Sequence, residues 1–486
     1  MKALLVVCAI ALSGCAVGPD FKAPGAPDTQ TYTPNALPER TVSSDGPNGA
    51  SQTFDTARGV MPMWWHEFKS DALNRLVDEA LHQNPTLAQA RARLIQAQQN
   101  YTALAGTTQF PGIDATLSGA RQKVDPAAFG IPHVESAGPF SLFGASVSVS
   151  YVFDIFGGNR RALEASMAQV DYESYELDAA RLSIAGNIVS TAVQRASLRE
   201  QIALTERLAD AQAQQLSITE ARFAAGGVSQ LDVRSQRTLL AQTRALLPPL
   251  ATQLAAADHQ LAILLGRAPS QADFEHLTFD SLQLPLHIPL TLPSALARAR
   301  PDIKAAEALL HEASANVGVA TANLYPQFAL SAGIGSQRTR VGDIVNGLNI
   351  WNVGLNLTQP IFHGGELHAK KRAAEAAYDG AFANYRQVVL QALQQVADSL
   401  SAVQNDAREL QARTEAAQEA QASLNVATER YAAGGISQLA LLDAERQSLQ
   451  TTLDRTRAQA NRFSDTAALF QALGSSVTET SVGSIP

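Results

Sequence analysis

The chain contains a long internal repeat. The segment Arg-Phe-Ala-Ala-Gly-Gly-Val-Ser-Gln-Leu that begins at Arg222 returns as Arg-Tyr-Ala-Ala-Gly-Gly-Ile-Ser-Gln-Leu at Arg430, 208 residues later. A repeat of this length predicts a duplicated structural unit rather than a short solenoid module. Other paired landmarks recur in the same order: Asn84-Pro85 with Arg300-Pro301, Phe110-Pro111 with Tyr325-Pro326, and Gly157-Gly158 with Gly364-Gly365.

The N-terminus has the pattern of a secretory signal. Residues 1–14 carry one lysine, then an apolar run, then small residues, so they are left out of fold reasoning. The junction Leu-Ser-Gly-Cys ending at Cys15 resembles a bacterial lipobox, in which this cysteine becomes the lipidated first residue of the mature protein. Ala16 in the next position implies the outer membrane. The alternative is a plain secretory signal followed by an unrelated cysteine.

Composition excludes several classes of protein. Charged residues are 17% of the chain and the mean hydropathy is −0.06, so neither a disordered chain nor a bundle of transmembrane helices is expected. The formal net charge is −8, or −9 once Lys2 is removed with the signal, and this offers no basic surface for nucleic acid. If Cys8 is removed and Cys15 is acylated, no disulfide can form within the mature chain.

The rest of the chain divides into segments of different composition. Residues 15–62 are rich in proline and predict an extended N-terminal arm without a core of its own. Long proline-free stretches rich in Ala, Gln, Glu, Arg and Leu predict long helices, and the longest would measure about 100 Å. Single helices are also expected over residues 71–105, 229–265 and 293–323, with a kink at Pro248-Pro249. The predicted boundaries are a first repeat at 63–265 with its long helix at 158–225, a linker at 266–292, a second repeat at 293–472 with its long helix at 365–433, and a tail at 473–486.

Each repeat also contains a predicted β-hairpin. Apolar residues at odd positions from Phe143 to Phe153 alternate with mostly small or polar ones, and the same pattern runs from Trp351 to Leu357. The hairpins are expected at about 112–156 and 327–362. Strands of about ten residues with one apolar face fit a membrane β-barrel or a soluble sandwich.

The number of strands favours an oligomer. Four strands cannot close a barrel, since about eight are needed for an interior filled with side chains. A cyclic trimer would supply twelve, enough to surround a lumen. The soluble sandwich remains the alternative, although two hairpins beside very long helices offer little area to bury alone.

The chain resembles the outer membrane factor family, the TolC-like exit ducts of tripartite efflux pumps. Within that family it resembles the NodT-type lipoprotein branch, which serves resistance-nodulation-division pumps. The resemblance covers essentially the whole mature chain. It implies an internally duplicated α+β membrane protein, a homotrimer with a 12-stranded outer membrane β-barrel on a long periplasmic α-helical barrel. The residues on which the resemblance rests are Cys15 to Asp20, Trp64-Trp65 with Phe68 and Leu73, both Gly-Gly tips, and Leu439 to Asp443.

The resemblance assigns a role to the two Gly-Gly turns. Glycine at the C-terminus of a helix permits the left-handed conformation that reverses the chain, which explains the glycines but not the near-identity of their neighbours. In the family these tips meet the hairpin of a periplasmic adaptor protein. The expected docking residues are Arg222, Gly226, Gly227, Val228, Arg430, Gly434, Gly435 and Ile436.

A second site is expected just past the second tip. Leu439, Asp443 and Arg446 are spaced to share one helix face, and three copies around an axis would form rings of leucine and carboxylate. Matching positions in the family form the periplasmic gate. The alternative is an ordinary Asp443–Arg446 pair on a solvated face, which contributes little.

No catalytic or cofactor motif is present in the sequence. The nine histidines lack ligand spacing, and neither a phosphate loop nor a nucleophile elbow occurs. The expected protein is therefore a passive duct for small molecules such as drugs, with no cofactor apart from lipid on Cys15, partnered by itself, an adaptor and an inner membrane pump. The alternatives are a type I secretion duct and a lipid-anchored trimeric coiled coil.

Overall fold

The computed structural model describes residues 16–56, 59, 61–124, 138–271, 273–274 and 277–474. The predicted signal, the lipidation residue Cys15 and the tail from residue 475 onward lie outside the described residues. Contacts divide the chain into two compact units. One comprises Met1–Pro24, Arg93–Glu173 and Ala306–Tyr385, and the other comprises Gly25–Ala92, Ser174–Ala305 and Arg386–Pro486.

Helices make up most of the described chain. The two longest, α3 and α8, have 67 residues each and occupy equivalent places in the two repeats, as the duplication predicts. Within the described residues, no helix has a segment long and apolar enough to cross a bilayer. The helices are α1 (Asp71–Gln83), α2 (Pro85–Gln109), α3 (Gly158–Ala224), α4 (Gln230–Ala245), α5 (Leu247–Leu264), α6 (Pro293–Ala299), α7 (Pro301–Ala322), α8 (Glu366–Ala432) and α9 (Gln438–Ala472).

The strands form two sheets. A short parallel pair joins the N-terminal arm to the linker, and a four-stranded antiparallel sheet has the order β2-β3-β5-β6. Both predicted hairpins are therefore present, and they join through β3 and β5. The strands are β1 (Thr53–Asp55), β2 (Gly112–Gln122), β3 (Phe140–Phe153), β4 (His287–Pro289), β5 (Gln327–Arg338) and β6 (Ile350–Thr358).

Two of the predicted helices are wrong, because each is divided in the structure. Residues 71–105 form α1 and α2 with Asn84 extended between them (ψ 126°), and residues 293–323 form α6 and α7 with Arg300 extended between them (ψ 128°). The cause is the same in both repeats. Proline disfavours the helical conformation in the residue before it, and it begins the next helix as a first-turn residue.

The proline pair in the first return helix has a smaller effect. α4 ends at Ala245 and α5 begins at Leu247, while Leu246 between them keeps helical angles (φ −76°, ψ −23°). Because Pro248 and Pro249 fall in the first turn of α5, where no amide donor is required, the helix is interrupted without reversing direction. The second repeat has Thr456 and Arg457 at the equivalent positions, and α9 is continuous there.

An aromatic cluster forms part of the core of the second unit. Trp64 and Phe68 lie on a short 3-10 helix before α1, and both are buried. Trp64 stacks on Phe470 with 5.7 Å between ring centroids, and Phe68 contacts Phe463 at 6.1 Å. These contacts fix the C-terminal half of α9 to the segment that follows the N-terminal arm.

Candidate functional sites: the strand face and the helical tips

One face of the four-stranded sheet is apolar across all of its strands. Val147 of β3 lies opposite Ala115 of β2 and Ile334 of β5, and Ile334 lies opposite Trp351 of β6. Much of this face is exposed in the part of the chain that the structure describes, with Trp351 79% exposed and Leu117 82% exposed. Further apolar members of this face are Ile113, Val149, Tyr151, Phe153, Phe328, Leu330, Ala332, Val353, Leu355 and Leu357.

The opposite face is small and polar. Ser148 lies opposite Asp114 and Gly333, and Gly333 lies opposite Asn352. A sheet whose faces differ in this way separates an apolar environment from an aqueous one. Its outer strands, β2 and β6, each pair on one side only among the described residues, so both edges keep backbone groups available to further strands.

The two helical tips have the same backbone turn. Gly226 and Gly434 have positive φ angles of 78° and 75°. The amides of the following glycines donate to the carbonyls of Arg222 and Arg430, each at 2.8 Å. This is the Schellman arrangement, which satisfies carbonyls at the end of a helix. Positive φ is the reason for glycine here, because no other atoms lie within 4 Å of an added Cβ at the first glycine of either tip.

The helices that leave the tips start differently. Ser229 and Asp232 form a full capping box at the start of α4, with the Ser229 amide 2.8 Å from the Asp232 carboxylate. In the second repeat Ser437 accepts from the amide of Ala440 at 3.3 Å, but alanine cannot return the bond. The start of α9 therefore satisfies one backbone donor fewer than the start of α4.

The predicted gate residues lie on the first turns of α9. Leu439 is 63% exposed, and the Asp443 and Arg446 side chains are 61% and 60% exposed. Their ion pair is long, at 3.5 Å, and an exposed pair of this kind contributes little to stability. The structure thus brings the three residues to one exposed face.

Contacts between the two repeats lie directly behind the tips. The Arg222 guanidinium is 5.8 Å from the centre of the Tyr431 ring, and the Gln438 side chain donates to that of Gln236 at 3.3 Å. Tyr431 and Gln438 also bond each other at 3.4 Å. Sequence reasoning placed Arg222 at a docking surface and did not find this pairing. The signal was available, because glutamines that recur on the buried side of long helices require partners.

The N-terminal arm is held by two buried arginines that sequence reasoning also missed. Arg161 on α3 donates to the Asp20 carboxylate at 2.6 Å and to the Val17 carbonyl at 3.3 Å. In the other unit Arg462, only 1% exposed, donates to the carbonyls of Asn48 and Ala50. Burial lowers the pKa of Arg462 to about 10. Buried arginines therefore hold the arm at Val17 and Asp20 and again at Asn48 and Ala50.

Several known proteins are similar to this chain in sequence and in fold. The family described as outer membrane efflux protein matches residues 76–267 and 292–475. The pyoverdine export outer membrane protein OpmQ of Pseudomonas putida is 32% identical over 414 residues, which cover 85% of this chain and 87% of the relative. Nodulation protein T of Rhizobium leguminosarum bv. trifolii is 29% identical over 471 residues, 96% of this chain and 95% of the relative.

Among solved structures, the outer-membrane channel OprN superposes with a TM-score of 0.83 at 29% identity, covering 95% of this chain and all of that one. The resemblance and the fold class inferred from the sequence are thereby confirmed. The matched segments include both long helices, both tips and both β-hairpins of the sheet. The chain belongs to the outer membrane efflux protein family, a family of channel proteins.

Proposed function

We propose that the protein is the outer membrane channel of a tripartite efflux pump, a passive exit duct for small molecules from the periplasm to the exterior. The observation that carries this proposal is the sheet, with its continuous apolar face, its polar face and its two open edges. Three copies joined edge to edge give a 12-stranded wall with lipid outside and water inside. The working unit is accordingly a homotrimer in the outer membrane.

The helical part of the trimer extends into the periplasm. The tips at Gly226 and Gly434 dock a periplasmic adaptor, which couples the duct to an inner membrane pump. The space beside both turns is open to an adaptor, since among the described residues nothing beyond the adjoining chain lies within 4 Å of a Cβ added at Gly226 or Gly434. Arg222 and Tyr431 join the tips of the two repeats, so a partner that binds one tip also displaces the other.

The gate consists of three copies of Leu439, Asp443 and Arg446 around the axis. Within one protomer the Asp443–Arg446 ion pair is weak. The pair therefore acts through the ring of three protomers, in which the carboxylates come together with the arginines between them. Adaptor docking draws the tips apart and opens the ring. The duct carries out no chemistry, is not an enzyme and binds no cofactor.

Lipid on Cys15 supplements the anchoring by the barrel. Its support is the lipobox-like sequence, together with the fixed path of the arm from Ala16, whose Cα would lie 2.7 Å from a Cβ added at Gly157. Gly157 also has a positive φ of 79°. A side chain at Gly157 would thus displace the start of the arm.

Conductance of the purified protein in planar bilayers tests the proposal. Trimers in detergent are expected to insert and conduct, and replacing both Asp443 and Arg446 by alanine is expected to raise the conductance. A lipid-anchored coiled coil would not conduct. A type I secretion duct would conduct, but it would restore polypeptide secretion rather than drug resistance in a strain that lacks its own channels.

A further inference from the structure

The same two helices, α3 and α9, contact each other through polar side chains at two levels, and the two contacts differ. Farther from the tips, the nitrogen and the oxygen of the Gln201 amide each have a hydrogen-bond partner. Its nitrogen donates to Ser197 at 3.0 Å and its oxygen accepts from Arg457 at 3.0 Å. Nearer the tips, about three helical turns along, Gln212 lies beside Glu445.

The contact nearer the tips is incompletely satisfied. Gln212 is 1% exposed, and neither its amide nitrogen nor its amide oxygen has a hydrogen-bond partner among the described residues. One carboxylate oxygen of Glu445 is likewise buried without a partner. Burial raises the pKa of Glu445, while the Gln212 side chain acts in the opposite direction. The two groups therefore lie close together without reaching hydrogen-bond geometry.

A buried polar group without a partner is destabilising relative to one that is bonded or in water. Such a cost opposes the packing of α9 on α3 at this level, whereas the Gln201–Arg457 bond supports it farther along. Two nearby bonds are also long: the Gln236 amide lies 3.5 Å from the Gln212 carbonyl within the first repeat, and Gln438 lies 3.3 Å from Gln236 across the two repeats. Each is near the upper limit for a hydrogen bond.

We propose that the Gln212–Glu445 contact is the joint at which the first turns of α9 separate from α3 when the channel opens, with Gln201–Arg457 as the fixed end of the movement. Gln212 and Glu445 are thus positioning residues for the gate. Leu439 and Asp443 lie within two turns of Glu445 on the same helix, so movement at the joint carries them with it. This inference rests on the proposed gate.

A reversible cross-link tests the joint most directly. Both joint positions are changed to cysteine, Gln212→Cys and Glu445→Cys, in a channel opened by D443A and R446A. The cysteine pair is oxidised and then reduced while single-channel conductance is recorded. If the joint moves, oxidation lowers the open probability about fivefold or more, because a covalent link between α3 and α9 prevents their separation, and reduction restores it. Unchanged conductance in a protein shown by mass to be cross-linked would overturn the inference.

Two substitutions provide a second measurement in the same background. Gln212→Leu with Glu445→Leu replaces the unsatisfied pair by an apolar contact, and it is expected to lower the open probability and to raise the melting temperature of the trimer. Glu445→Gln, which replaces the buried carboxyl group and keeps its shape, is expected to act in the same direction by less. Higher conductance in trimers of either variant would contradict the joint.

Ser448→Ala is the matched control. Ser448 lies on α9 close to Glu445, but it bonds Gln421 of α8 at 3.0 Å, within one repeat. Its loss is expected to leave the conductance unchanged, and an effect equal to that of Glu445→Gln would overturn the assignment to the joint. If the D443A and R446A channel itself does not conduct more than the original protein, the proposed gate has failed, which is a separate outcome.

Discussion

The two tips have the same turn but different helices after it. Gly226 and Gly434 adopt nearly equal φ angles. However, α4 begins with a capping box formed by Ser229 and Asp232, whereas α9 has Ala440 in the place of that aspartate. The duplication thus preserved the reversal of the chain and relaxed the start of the helix that carries the proposed gate. A weakly capped first turn can rearrange at a lower cost.

The return helices of the two repeats also differ farther from the tips, in the residues that they place against the long helices. In the first repeat Leu198 and Ala257 belong to one apolar cluster between the long helix and its return helix. A shift of 208 residues places Asp406 and Asp465 at these positions in the second repeat. Burial and the neighbouring Asp465 raise the pKa of Asp406 to about 8. At this level, therefore, apolar side chains face each other in the first repeat, and two aspartates, one of them with a raised pKa, take their places in the second.

The largest effect is expected from breaking the shared turn. Gly226→Val or Gly434→Val forces a β-branched residue into the left-handed conformation, which costs about 1–2 kcal/mol for an ordinary residue, and deforms a docking tip. Export of a drug is expected to fall at least tenfold, an effect on the order of the 1.4 kcal/mol that a factor of ten requires, while trimers persist on native gels. Normal export by both variants would remove the docking role from these turns.

The next comparison concerns the residues after each tip. Asp443→Ala with Arg446→Ala is expected to raise single-channel conductance several-fold, because it removes both charges of the proposed ring. Ser235 and Thr238 occupy the equivalent positions in the first repeat, and their replacement by alanine is expected to change nothing. Equal effects from the two double variants would show that the repeats contribute alike to the aperture.

A pH series sharpens the comparison of the return helices. Folded Asp406 keeps its proton up to about pH 8, whereas an unfolded aspartate loses it near pH 4. The folded protein therefore binds an extra proton between these values, and the free energy of unfolding falls as the pH rises from about 4 to 8.

Asp406→Asn is expected to remove that fall, since asparagine has no proton to release. Thermal unfolding of the trimer across this pH range measures it, with the exposed Asp398→Asn as the control. An undiminished dependence on pH in Asp406→Asn would contradict the assignment.

The smallest effect concerns the caps. Asp232→Ala removes the capping box of α4 and is expected to cost about 1 kcal/mol, whereas Ala440→Asp supplies the missing acceptor to α9 and is expected to stabilise its first turn by a similar or smaller amount. Hydrogen exchange of the amides in these turns measures both. Slower exchange in Asp232→Ala than in the original protein would reverse the comparison.

Much of the fold follows from local patterns. The repeat predicted two equivalent long helices, alternation predicted the strands from Phe143 and Trp351, and paired glycines predicted the tips. Pro85 and Pro301 divide two segments predicted as single helices, although the restriction that proline places on the preceding residue is a local effect. The polar contacts at Gln212, Arg161 and Arg462 were not found, because their partners lie far away in the sequence.

The sequence alone determined which residues alternate, where helices reverse and that one half of the chain resembles the other, since these depend on neighbours within a few positions. The joining of the two hairpins through β3 and β5 into one apolar face depends on tertiary packing, and so does the difference between the bonded Gln201 and the unbonded Gln212. Pairings between distant segments arise from the packing of whole helices and strands. The same glutamine can therefore be satisfied or left without a partner, and nothing in its local sequence distinguishes the two cases.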